Sequence, residues 1–261
     1  MVGALDPLKV KIYEFDPDLD LSGAKLVDGF PSVGLVSTIA ANYLIDSLKL
    51  KQIGVMDNLS FPTLSVVHNG EPLSPVRLYG GEIGAAGDKG RREKIVVFVS
   101  EFQPVATLVR PIAESILEWA KAKKCGYVIS PEGLVLEGEA AEDDRVEVYG
   151  IGSTPRSNAL LKERNIPQFK EGIITGVSGV LLNQGKREQF DVVSILAEAH
   201  PNYPDARSAA VVIEVIARLL GLHINVEPLL REAEGFEQQI KKLQQKATTK
   251  ERAPASPQMY G

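Results

Sequence analysis

Cysteine occurs once in the 261 residues, as Cys125, so no internal disulfide can brace the fold and a reducing compartment is expected. Histidine is nearly as scarce, and His68, His200 and His223 have no paired spacing with one another or with Cys125 that resembles a metal site. No metal or other cofactor is expected. No apolar run approaches the length that spans a bilayer. Met1 to Val10 lacks the basic flank and apolar stretch of a secretory signal, so a cytoplasmic protein without membrane association is expected. A surplus of positive charge is missing too. The net charge of -5 and pI near 5.4 argue against nucleic-acid binding, which depends on clustered Lys and Arg neutralising phosphates. Lys89, Arg91, Arg92 and Lys94 form one basic cluster and Lys241, Lys242 and Lys246 another; both read as solvated faces.

Recognised phosphate-binding patterns are absent as well. The glycine-rich stretch Gly80 to Gly90 has neither the dinucleotide fingerprint nor the Gly-Lys-Ser/Thr ending of a P-loop, and it is expected to be a turn between strands. No Walker motif supplies ATP hydrolysis. Gly29-Phe30-Pro31-Ser32-Val33-Gly34 sits at a strand end and opens a helix, where free N–H groups can receive an anion. The more economical account is that Ser32 caps the helix and the glycines permit close packing.

What is present is the composition of an ordinary globular protein, 44% apolar and 24% charged, with enough chain for one large domain. Apolar runs predict strands at Lys9–Phe15, Ala24–Phe30, Gln52–Met56, Leu64–His68, Val76–Tyr79, Lys94–Ser100, Tyr127–Ser130, Arg145–Ile151, Gly172–Thr175 and Asp191–Ala197. Helical spacing predicts Ser32–Leu48, Val105–Lys124, Arg156–Arg164 and Asp205–Leu220. Strands alternating with helices indicate an α/β fold with a mainly parallel sheet covered on both faces. The helix at Asp205–Leu220 is apolar nearly all round and must be buried, in the domain or at a subunit interface. A further helix from about Asn225 to Ala247 carries a narrow seam of Leu229, Ala233, Phe236, Ile240, Leu243 and Ala247, suited either to its own domain or to another subunit. The expected division is therefore 1–224 for the α/β domain, 225–247 for this helix and 248–261 for a tail. Residues 248–257 are polar and proline-punctuated, a composition expected to remain disordered. Met259-Tyr260-Gly261 then restores a large apolar side chain and an aromatic ring.

One further constellation invites chemistry. Glu198-Ala199-His200-Pro201 follows a predicted strand and precedes the apolar helix, the position where open α/β sheets place ligands. A carboxylate beside an imidazole could serve acid-base catalysis. Alternatively, Glu198 and His200 organise the loop that enters the helix at Asp205. Cys125, between a helix and a strand, reads as a buried inert thiol.

Two stretches carry a family resemblance. Gly29-Phe30-Pro31-Ser32-Val33-Gly34-Leu35-Val36 resembles the glycine-phenylalanine-proline-glycine motif of the proteasome assembly chaperone family, with Ser32 in place of its usual glycine. Glu198-Ala199-His200-Pro201-Asn202-Tyr203-Pro204-Asp205-Ala206 resembles that family's second signature. The resemblance covers about Val10 to Leu243 and implies a three-layer α/β/α domain similar to nucleoside phosphorylases, without a catalytic centre and prone to oligomerise. It also implies a proteasome partner. Some members end in a hydrophobic residue, a tyrosine and any residue, the terminus that docks between α-subunits of the core particle; Met259, Tyr260 and Gly261 match it position by position. The resemblance thus implies a non-enzymatic, ATP-independent activator or assembly chaperone, acting as a homo-oligomer with Leu229, Phe236, Ile240 and Leu243 as interface candidates. The competing expectation is an enzyme for nucleoside-like molecules, with a site near Ser32, Glu198 and His200 at the strand ends.

Overall fold

The computed structural model describes residues 9–84, 92–135, 146–231 and 233. Phe236, Ile240, Leu243, the 248–261 tail and its Met259-Tyr260-Gly261 lie outside the described residues. The elements run β1 (Lys11–Glu14), β2 (Lys25–Gly29), a 3-10 turn (Val33–Leu35), α1 (Val36–Ser47), β3 (Lys51–Asp57), β4 (Val66–His68), β5 (Glu71–Leu73) and β6 (Val76–Gly84). They continue with β7 (Arg92–Ser100), α2 (Ala106–Ala122), β8 (Tyr127–Val135), β9 (Val148–Gly152), α3 (Pro155–Glu163), α4 (Gly176–Glu188), β10 (Val192–Ala199) and α5 (Ala206–Leu220). Residues 227–231 are helical again.

Eight strands form one sheet in the order β1-β3-β6-β7-β2-β8-β10-β9, and β4 and β5 make a separate hairpin. The sheet is mixed. The central strands β7, β2, β8 and β10 are parallel, whereas β1, β3, β6 and β9 join by antiparallel ladders. The expectation of a mainly parallel sheet is therefore corrected. Only seven residues separate β6 from β7, too few for a parallel crossover, which needs a dozen or more.

The central strands read as continuous apolar runs because they are buried on both faces. Along β7, Ile95, Val97 and Val99 meet the core under α1 and α5, while Val96 and Phe98 meet the core under α2 and α4. These two cores give the α/β/α layering. Of the apolar residues of α5 from Ala209 to Leu220, all but the half-buried Val211 are buried in the first core, so most of this helix is covered by its own chain. Val226 and Leu229 join that core, and Ala233 is buried as well. The stretch Gly172–Thr175 is loop rather than strand, and α4 follows it where no helix is expected. Gly80 and Gly81 lie inside β6, opposite Val96 and Ile95, not in a turn. Cys125 is buried, and burial pushes its thiol up to about 11, which leaves it unreactive as a nucleophile.

Candidate functional site at the strand ends

The two signature segments meet at the carboxyl ends of the parallel strands. Gly34 takes the left-handed conformation at φ 62°, and its carbonyl accepts the Asp205 N–H at 2.7 Å. A Cβ on Gly34 would lie 3.0 Å from the His200 carbonyl oxygen and 3.1 Å from the Ala199 and Asp205 Cβ atoms. Only glycine combines that backbone angle with that approach. Ser32 Oγ accepts from the Ser37 N–H at 3.1 Å, and the Ser37 hydroxyl donates to the Pro131 carbonyl at 2.6 Å, tying the start of α1 to β8. The expectation that Ser32 caps the helix is corrected: Leu35 is the N-cap of α1, and the Ser32 hydroxyl instead receives the Ser37 N–H five residues on.

His200 is likewise engaged. Asp205 Oδ2 accepts the His200 N–H at 3.0 Å and sits 2.9 Å from its Nδ1, while Oδ1 caps α5 by accepting the Ser208 N–H at 2.9 Å. The imidazole also stacks on Tyr203, with ring centroids 4.7 Å apart. Burial works to raise the Asp205 carboxyl, but the bonds from Ser208 and His200 hold it below its ordinary value. The Glu198 carbonyl accepts the Ser208 hydroxyl, and its N–H donates to Glu147. His200 is thus paired with Asp205, and the Glu198-His200 segment organises the entry into α5. The sequence left this choice open.

Beside this knot lies a cavity of about 270 Å³ that takes Ser32 but neither Glu198 nor His200. The three residues of the enzymatic expectation do not share it. Its polar wall instead holds Asp28 near the end of β2 and Glu132 near the end of β8, with Thr175 and Ser178 from the start of α4. Asp28 is 3% exposed, accepts the Ser130 hydroxyl at 2.8 Å and the Phe30 N–H at 3.2 Å, and is pushed up to about 6 by burial against the pull of those bonds. Burial, and then the neighbouring Asp28, push Glu132 up to about 8, although the N–H groups of Gly133 and Val33 pull the other way. Sequence reasoning missed this pair because the strand holding Glu132 was expected to stop at Ser130. Asp28, directly after the apolar pair Leu26 and Val27 in an expected strand, was the available signal.

These carboxyls make stability depend on pH. Both bind protons more tightly folded than unfolded, so their contribution favours folding below about pH 4 and fades as pH rises through 6 and 8. Glu132→Gln is expected to be more stable than the parent at pH 8 by on the order of 2–3 kcal/mol and indistinguishable at pH 4.5. Urea unfolding at the two pH values checks this. An equal difference at both would show that the Glu132 charge is not the cause.

Three layers around a mixed sheet, with paired loops at the parallel strand ends, define the architecture. The chain belongs to the PAC2 family, whose sequence model matches residues 26–244. It is similar over 94% of its length, and 95% of the other chain, to the crystal structure of Pyrococcus furiosus PbaA, described as an archaeal homolog of proteasome-assembly chaperone, with 33% identity and a TM-score of 0.77. Pyrococcus furiosus PbaB, described as an archaeal proteasome activator, shares the fold with a TM-score of 0.76 at 20% identity, over 91% of this chain and 99% of that one. An uncharacterized protein of Methanocaldococcus jannaschii is 28% identical over 222 residues, which is 84% of each chain.

Proposed function

We propose that this chain is a non-enzymatic, ATP-independent partner of the proteasome core particle, acting as activator, assembly chaperone or both. The observation that carries this reading is the near full-length similarity to PbaA. The structure adds support, since the signature residues are occupied in packing one loop against another: Gly34 fits against Ala199, His200 and Asp205, and Asp205 clasps His200. In this reading Met259-Tyr260-Gly261 docks between α-subunits, with Met259 in an apolar pocket and the Tyr260 ring stacking while its hydroxyl bonds to the ring of subunits. Purified protein is expected to comigrate with core particles on native gels and to stimulate peptide cleavage or assembly. Comigration with neither mature particles nor isolated α-subunits would overturn the reading.

A homo-oligomer follows from the same reading, because several weak terminal ligands presented to one ring gain from effective concentration. Leu229 is 5% exposed and packs within its own chain, as do the apolar residues of α5 other than Val211, which leaves Phe236, Ile240 and Leu243 as the candidates for the contact surface. Sedimentation at micromolar concentration is expected to give an oligomer that Phe236→Asp shifts toward smaller species, since an unpaired charge would be buried. A concentration-independent monomer would contradict it.

A further inference from the structure

At β2 the chain turns both ways. It leaves through α1 on one face toward β3, β6 and β7, and from β7 it returns through α2 on the other face to β8, on the opposite side of β2. Open α/β sheets place ligands beyond the carboxyl ends of strands at such a reversal. Here that position is occupied by the 270 Å³ cavity, close to the lower end of the range for small-molecule sites.

The cavity has one chemical peculiarity. Asp28 is almost wholly buried yet is met only by neutral donors, the Ser130 hydroxyl and the Phe30 N–H. Glu132 lines the same cavity, and among the described residues no Lys, Arg or His is found to offset either carboxyl. Buried carboxyls elsewhere in proteins are protonated, paired with a cation or bound to a metal. Among the described residues there is no group of three His, Cys, Asp or Glu side chains to hold a metal ion. The first turn of α4 brings about half a positive charge to the same rim, less than the buried Asp28 carboxylate calls for.

We propose that this cavity binds a small organic cation, an amine, amidine or guanidine, whose N–H groups are shared between Asp28 and Glu132 while its carbon frame rests on Val109 and Val177. The site is independent of proteasome docking. Its occupancy would add positive charge where the strands, α4 and the signature loop converge, and so brace the domain at that end.

Isothermal titration of the full chain with benzamidine, n-butylammonium and guanidinium, against benzamide and magnesium, tests this. At least one cation is expected to bind saturably, with benzamide and magnesium at least about tenfold weaker. Glu132→Gln and Asp28→Asn are each expected to weaken that cation by about tenfold or more, and Val109→Phe to do so by filling the cavity without removing a charge. Should Asp28→Asn fail to fold, the other two variants decide. No saturable cation binding up to tens of millimolar, equal binding of benzamide or magnesium, or cation binding unchanged in Glu132→Gln and Val109→Phe would each overturn the proposal.

Discussion

Gly29→Ala is expected to lower the unfolding midpoint by about 6–12 °C, corresponding to about 3 kcal/mol for a domain of this size. The added Cβ would lie 2.4 Å from the Ala41 Cβ and 2.4 Å from the Phe98 carbonyl oxygen. Neither neighbour can yield by rotating a side chain: Ala41 is fixed on α1, and the Phe98 oxygen belongs to the β7 backbone. Relief requires α1 to lift from the β2–β7 ladder, which opens the core formed by Val27, Ala40, Leu44 and Val97. Gly133→Ala is expected to behave similarly, because its Cβ would lie 2.2 Å from the Val33 carbonyl oxygen. Gly84→Ala is the control, since it meets nothing within 4 Å, and should shift stability by no more than about 0.5 kcal/mol. Thermal unfolding of the three variants checks the set. A Gly29→Ala midpoint equal to that of Gly84→Ala would mean that the signature loop is not packed against α1 and β7 in this way.

The elements that could be read in the sequence are those whose local preference agrees with their burial. The β7 run from Lys94 to Ser100 and the apolar helix closed by Gly221, which is left-handed at φ 68°, are of that kind. The helix α4 could not be read because tertiary contacts dictated its composition. It contains Gly176, Gly179 and Gly185, all poor helix formers. A Cβ on Gly179 would sit 2.3 Å from the Ile174 oxygen, and one on Gly185 would sit 2.7 Å from Val192 Cγ2. Close packing thus erased the local helical signal. Gly80 misled for a similar reason, because Ile53 Cδ1 occupies the space its Cβ would need, at 2.8 Å, in the middle of a strand. The Asp28–Glu132 pair was hidden differently. Residues more than a hundred positions apart become neighbours only when β2 and β8 align in parallel, and one sequence does not reveal that register. The two signature stretches were legible as segments, but their mutual contact was not.

The proposed association with the proteasome core particle runs through Met259-Tyr260-Gly261. Tyr260 is expected to be its most sensitive residue, because the ring offers large contact area with few rotors to freeze and its hydroxyl adds directional recognition. Loss of such an anchor from an interface costs about 2 kcal/mol or more, roughly thirtyfold in affinity. The direct measurement is binding of core particles by the parent chain, by Tyr260→Ala and by the chain lacking Met259 to Gly261, with unfolding midpoint and sedimentation recorded for each. Binding is expected to be roughly thirtyfold weaker for Tyr260→Ala and undetectable for the deletion, with fold and oligomer state unchanged in both. Wild-type binding by both variants would contradict it.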